Sequence, residues 1–161
     1  MVIVVMGVSG AGKSTIGRIL AENLGWQFRD ADDFHSPANK RKMAAGIALT
    51  DADRAPWLAA IRELIEGFLR AGVDAVVACS ALKQAYRDQI VGNRAAVKMV
   101  YLKGSRELIR SRIANRTSHF MNKDLLDSQF DTLEEPRDGI AVDIAPPPNE
   151  IVAEIRRRLG I

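Results

Sequence analysis

The sequence predicts an α/β fold in which a parallel sheet of five strands is covered by helices on both faces. Three observations carry that prediction. Short, continuous, apolar runs rich in β-branched residues recur along the chain, as strands buried on both sides require. Segments with a helical spacing of apolar residues lie between them, so strands and helices alternate as in βαβ units with right-handed crossovers. The 161 residues, 47% hydrophobic and 27% charged, suit one globular domain over 1–161 and leave no room for a linker and a second.

Val2–Met6, ended by Gly7, is the first strand and, being apolar throughout, is expected at the centre of the sheet. Residues 14–24 follow as a helix and 26–28 as a weaker strand. The segment 30–53 breaks the alternation with charges, Ser36-Pro37 and only a short helical run at 39–45, so it reads as an insertion at the ligand end of the sheet. A helix over 56–70, a strand at Ala75–Ala78, a helix over 82–91, a strand over 97–102 and a helix at Arg106–Ala114 restore the pattern. A second insertion, 115–135, has polar residues around His119 and then a helical run at 125–133. A strand over 140–144 and a helix over 149–159 complete the chain, and the Pro146-Pro-Pro148 run reads as entry into that helix's first turn.

The 23 basic and 20 acidic residues are mixed along the chain, which excludes a nucleic-acid-binding arm and a polybasic membrane patch and points to small anions. One cysteine, Cys79, makes no internal disulfide and has no metal-spaced Cys/His cluster around it, as fits a reducing compartment. No apolar run is long enough for a membrane span, and residues 1–6 lack the charged flank and cleavage site of a signal peptide. The expectation is a cytoplasmic protein.

Gly7-Val-Ser-Gly-Ala-Gly-Lys-Ser14 matches G-x-x-x-x-G-K-[ST], the phosphate-binding P-loop, directly after a buried strand and at the opening of a helix. Its glycines let successive backbone N–H groups and the helix N-terminus face an anion. Gly7, Val8, Ser9, Gly10, Ala11, Gly12, Lys13, Ser14 and Thr15 are therefore the candidate ATP contacts, with Lys13 reaching the β- and γ-phosphates and the Ser14 hydroxyl ligating Mg²⁺.

A P-loop does not say where the γ-phosphate goes. Ala75–Ala78 ends in Cys79-Ser80 with no carboxylate, which weighs against motor ATPases. The acids instead follow the second strand as Asp30-Ala-Asp-Asp33, and strand alternation puts Asp30 and Asp32 on one side. Such a pair can orient hydrated Mg²⁺ and hold or deprotonate an attacking hydroxyl, or it can merely cap a helix. His35, Lys42, Arg54, Lys83 and Arg87 follow strand ends or lie in the first insertion, placed either to converge on an anionic, polyhydroxylated acceptor or to serve as surface charge. Arg112, Arg116 and His119 form a second basic group, either a lid that neutralises transition-state charge or a helix C-terminus favoured by the dipole.

Over nearly its whole length the chain resembles the gluconokinases of the P-loop small-molecule kinase group. The resemblance rests on Gly7–Ser14, on Asp30-Ala-Asp-Asp-Phe-His35 with Asn39, Lys42-Met43 and Gly46, on Leu49-x-Asp51-x-Asp53-Arg54-x-Pro56-Trp57-Leu58, and on Cys79-Ser-Ala-Leu-Lys83-x-x-Tyr86-Arg87. It continues through Tyr101-Leu-Lys-Gly104, Arg112-x-x-x-Arg116-x-x-His119-Phe120 and Gln129-Phe-x-Thr-Leu-x-Glu-Pro136. It implies a nucleoside-monophosphate/shikimate-kinase-like fold of strand order 2-3-1-4-5 with a lid, ATP-dependent phosphorylation of D-gluconate to 6-phospho-D-gluconate, a homodimer, and no nucleic-acid or membrane partner. By position it implies Lys13, Asp32 and Arg116 as catalytic residues, Arg112 at the nucleotide, and Ser14 with Asp30 at Mg²⁺. It implies Asp32, His35, Arg54, Lys83, Arg87, His119 and Gln129 around the sugar acid, with an acceptor-binding insertion at 30–54 and a lid at 115–135. The family pattern differs at Ala31, Ser36, Ala48 and Ser118. Competing readings are a shikimate or nucleotide kinase and a nucleotide-binding regulatory module.

Overall fold

A computed structural model of the chain describes residues 1–92, 94–115 and 123–161. Five strands, β1 (Val2–Met6), β2 (Gln27–Asp30), β3 (Ala75–Ala78), β4 (Val97–Lys103) and β5 (Ile140–Asp143), form one parallel sheet in the order β2-β3-β1-β4-β5. β1 is central, pairing Val2 with Ala75 on one side and Val97 on the other, and all five of its residues are buried. Its side chains alternate between two cores. Ile3 and Val5 pack with Leu20, Ile109 and Ile155, whereas Val2, Val4 and Met6 pack with Ile61, Ile65 and Ile90. Those partners come from α1 (Lys13–Leu24), α5 (Arg106–Ala114) and α7 (Pro148–Leu159) on one face, and from α3 (Asp51–Ala71) and α4 (Gln84–Ile90) on the other. α2 (Pro37–Ala44) lies outside these layers, α6 (Lys123–Thr132) puts Leu126 into the first core, and Met43, Leu49 and Leu125 form a small third cluster.

Because the strands are parallel, their C-terminal ends share one edge of the sheet. The chain moves to opposite sides of β1 to form β3 and β4, so a crevice opens at the end of β1, where ligands bind in open α/β sheets.

Two local structures differ from the sequence expectation. α3 starts at Asp51, ahead of the expected proline: the Thr50 hydroxyl accepts from Asp53 N–H at 3.1 Å, and the Asp53 carboxylate accepts from Thr50 N–H at 2.9 Å. This reciprocal cap starts the helix and leaves Pro56 inside it, so Asp51, Asp53 and Arg54 ride on its first turn rather than in a loop. In addition, β2 gives way at once to a 3-10 turn, Ala31–Phe34, whose N-terminus is capped by Asp30. Just beyond β3, Cys79 is fully enclosed, and burial pushes its thiol up to about 12.

Candidate active site

The P-loop leaves β1 and enters α1 with the features an anion needs. Gly12 caps α1 in a left-handed conformation (φ 93°), no side chain caps the helix, and its first turn holds no acidic residue. The first N–H groups and the positive end of the helix dipole are therefore left to a ligand. Gly10 (φ +82°) lies so close to α5 that a Cβ would stand 2.8 Å from Ile113, which seats the loop on the core. Lys13 Nζ donates to Val8 O at 2.9 Å, back across the loop. The Ser14 hydroxyl donates to one oxygen of Asp30, whose other oxygen accepts from Asp32 N–H at 2.9 Å.

Asp32 reaches the site by that 3-10 turn, not by strand alternation. Trp57 of α3 pins the turn, its Nε1 donating to Ala31 O at 2.7 Å. His35 stacks on the same indole, with ring centroids 4.2 Å apart and planes 12° from parallel. Burial, followed by the charges of Arg54 and Lys40, lowers the His35 pKa to about 4, so the imidazole is neutral at pH 7. Asn39 Nδ2 lies 3.5 Å from His35 Nδ1 and donates to Asp53 O at 2.9 Å, while Lys42 Nζ meets both Asp53 oxygens at 3.0 and 2.9 Å. These contacts clamp α2 to the first turn of α3.

Ser9, Lys13, Asp32, His35, Arg54, Trp57, Ser80 and Gln129 line one narrow cleft of about 80 Å³. The protein around Asp32 raises its pKa by desolvation, the neighbouring Asp30 and Asp33 push the same way, and Lys13 opposes them. A carboxylate raised in this manner is a better proton acceptor than an ordinary one. Gln129, from α6, accepts from Ser9 N–H at 2.7 Å and so ties that helix to the P-loop. A second cavity, of about 410 Å³, lies on the other side of the loop between Gly10–Gly12, Thr15, Arg112 and residues 145–148. Arg112 donates to Ile144 O at 2.5 Å across it.

A family model described as an AAA domain matches residues 2–137. A probable gluconokinase of Dictyostelium discoideum is 45% identical to this chain over 96% of its length and 84% of the relative's. The chain belongs to the gluconokinase family. Two solved structures agree: a gluconokinase from Sinorhizobium meliloti 1021, 47% identical with a TM-score of 0.88 over 98% of this chain and 90% of that one, and a sugar kinase from Janibacter sp. HTCC2649, 43% identical with a TM-score of 0.92 over 99% and 94%.

Of the gluconokinase contacts expected from the sequence, the structure brings Lys13, Asp32, His35, Arg54 and Gln129 into one cleft, and Arg112 to the cavity beside it. Lys83 does not line the cleft: it stands 3.7 Å from the Asp51 carboxylate and faces a separate open hollow with Asp131 and Glu134. Arg87 does not reach the cleft. Its buried guanidinium donates to Ala81 O at 2.8 Å, Leu82 O at 3.0 Å and Gln84 Oε1 at 2.9 Å, and so fixes the turn after Ser80, where Ala81 adopts φ 45°. Its donors are directed at carbonyls, leaving it a part of the scaffold. Arg116, Ser118 and His119 lie outside the described residues. Sequence reasoning missed residues 145–148 as cavity lining, although a proline run at the C-terminal end of β5 lies on the ligand edge of the sheet. It also assigned no role to Trp57, which lines the cleft and holds Ala31 and His35, or to Tyr86, which meets Arg54 and Asp51.

Proposed function

We propose that the protein transfers the γ-phosphoryl group of ATP to the 6-hydroxyl of D-gluconate, yielding 6-phospho-D-gluconate. The observation that carries this reading is the single cleft in which Lys13 of the P-loop and Asp32 and Arg54 of the insertion meet. The polyphosphate rests on the P-loop amides and Lys13, with the nucleoside in the cavity formed by Arg112 and residues 145–148. The donor set fits Mg²⁺: among the described residues there is no cluster of three or more acids, histidines or cysteines, but the Ser14 hydroxyl and the Asp30 carboxylate lie side by side at the phosphate end, and Mg²⁺ is usually held by one or two side chains plus phosphates and water. When bound, the ion neutralises charge on the phosphates.

Asp32 orients the acceptor hydroxyl and accepts its proton. Lys13 and Arg54 are the cations among the described residues lining the cleft, and with Lys13 assigned to phosphate, Arg54 takes the acceptor's carboxylate. Neutral His35 discriminates hydroxyl groups by hydrogen bonding and shape. Residues 115–135 act as the lid, with Arg116 and His119 closing over the transferring group. The same reading makes the protein a Mg²⁺-dependent, cytoplasmic homodimer acting on a small molecule, in one domain that binds neither nucleic acid nor membrane. Release of ADP is measured against a panel of aldonates, shikimate and nucleoside monophosphates. One ADP per gluconate consumed is expected. ATP turnover indifferent to gluconate, or faster with shikimate or a nucleotide, refutes the assignment.

A further inference from the structure

Tyr86 lies in α4, does not line the cleft, and joins charged groups that come from α3 and from the turn before α4. Its hydroxyl accepts from Arg54 Nη1 at 3.1 Å and donates to the Asp51 carboxylate. The Arg54 guanidinium lies 5.3 Å and Lys83 Nζ 5.6 Å from the centre of its ring. Lys83 and Arg54 also stand 3.7 and 3.8 Å from Asp51. The ring is 5% exposed and packs with the core that includes Trp57, Ile61 and Ile90, so the rigid interior sets the position of the hydroxyl.

The polarity of this chain is fixed by chemistry. A guanidinium only donates and a carboxylate only accepts, so the hydroxyl between them must take from Arg54 and give to Asp51. The Tyr86 bond and then Lys83 hold the Asp51 pKa low, which keeps the accepting end charged. Nη1 of the guanidinium is thereby tied to Tyr86 in a residue that lines the cleft. An arginine ordered before its ligand arrives loses less side-chain freedom on binding it.

We propose that Tyr86 is a positioning residue for acceptor recognition: anchored by Asp51, its hydroxyl aims Arg54 into the cleft to receive the carboxylate end of a polyhydroxy acid. The inference rests on the reading of Arg54 as the carboxylate contact. Tyr86→Phe deletes the hydroxyl and keeps the ring, so it tests the bond rather than the packing. The expected result is a KM for gluconate raised roughly 10- to 150-fold, the weight of one hydrogen bond to a charged group, with KM for ATP and kcat at saturation changed by less than about twofold. In an Arg54→Ala background, which itself raises KM for gluconate, Tyr86→Phe should add nothing further, whereas a merely structural effect would persist there. Asp51→Ala perturbs the other, exposed end of the chain and should act in the same direction, which supplies the test if Tyr86→Phe melts early. An unchanged KM for gluconate in Tyr86→Phe and Asp51→Ala, or effects additive with Arg54→Ala, overturns the proposal while leaving Arg54 as the contact. An unchanged KM for gluconate in Arg54→Ala overturns both.

Discussion

Acidification should destabilise this protein through His35. In the fold the imidazole pKa is lowered to about 4 from an ordinary 6.5, so between those values the unfolded chain binds a proton that the folded one refuses. Stability conferred by the neutral ring is therefore complete above about pH 6.5 and falls with pH until about 4. The full gap is worth about 3 kcal/mol at 1.36 kcal/mol per unit, and about 2 kcal/mol of it is gone by pH 5. Asp32 works in the opposite sense: its raised pKa makes the ionised form a cost at neutral pH that acid relieves, so the wild-type curve alone is ambiguous. Urea unfolding of wild type and His35→Gln at pH 7 and pH 5 isolates the imidazole. The stacking on Trp57 lost in the variant is the same at both pH values and cancels in the difference. Wild type should lose about 2 kcal/mol more than His35→Gln. Equal losses in the two proteins would mean that His35 is not held neutral by its burial and the cationic neighbours.

Lys13→Ala should fold normally and lose turnover by roughly 10³-fold or more, since positioned charge does most of the work in phosphoryl transfer; near-normal turnover removes the P-loop lysine from the mechanism. Asp32→Asn should slow gluconate phosphorylation by roughly 10²–10⁴-fold with nucleotide affinity intact, and the acid limb of the wild-type kcat/KM profile should lie above the ordinary aspartate range because the Asp32 pKa is raised. Arg87→Met should lower unfolding stability by about 2–4 kcal/mol, as buried carbonyls lose their donors, while leaving the KM for gluconate within about threefold. A large rise in that KM at unchanged stability would return Arg87 to the substrate.

The sheet was legible because its signal is local: a run such as Val2–Met6 has no polar position, and only a strand covered on both faces accommodates that. The start of α3 was legible too, in Thr50-x-x-Asp53, but Pro56 is the louder punctuation and drew the boundary to itself. Alternation along a strand put Asp30 and Asp32 on one side for an inapplicable reason, since the strand had ended and Asp30 caps the turn that carries Asp32. Arg87 shows the limit more sharply. Its spacing from Ser80 puts it near the site, yet whether a guanidinium meets a ligand or three nearby oxygens depends on the path of the backbone around it. Tyr86 was hidden for the same reason, because its partners come from segments more than thirty residues away.

The enclosed thiol of Cys79 makes the native chain chemically silent toward alkylating reagents, because with its pKa near 12 almost no thiolate forms at neutral pH and the core leaves no access. With no other cysteine in the sequence, any thiol introduced at the surface is the sole reactive handle. Ile47, 53% exposed on the loop between α2 and α3, is one such position, next in sequence to Ala48 and Leu49 of the cleft lining, where a single probe would report the approach of substrate without prior removal of a native cysteine.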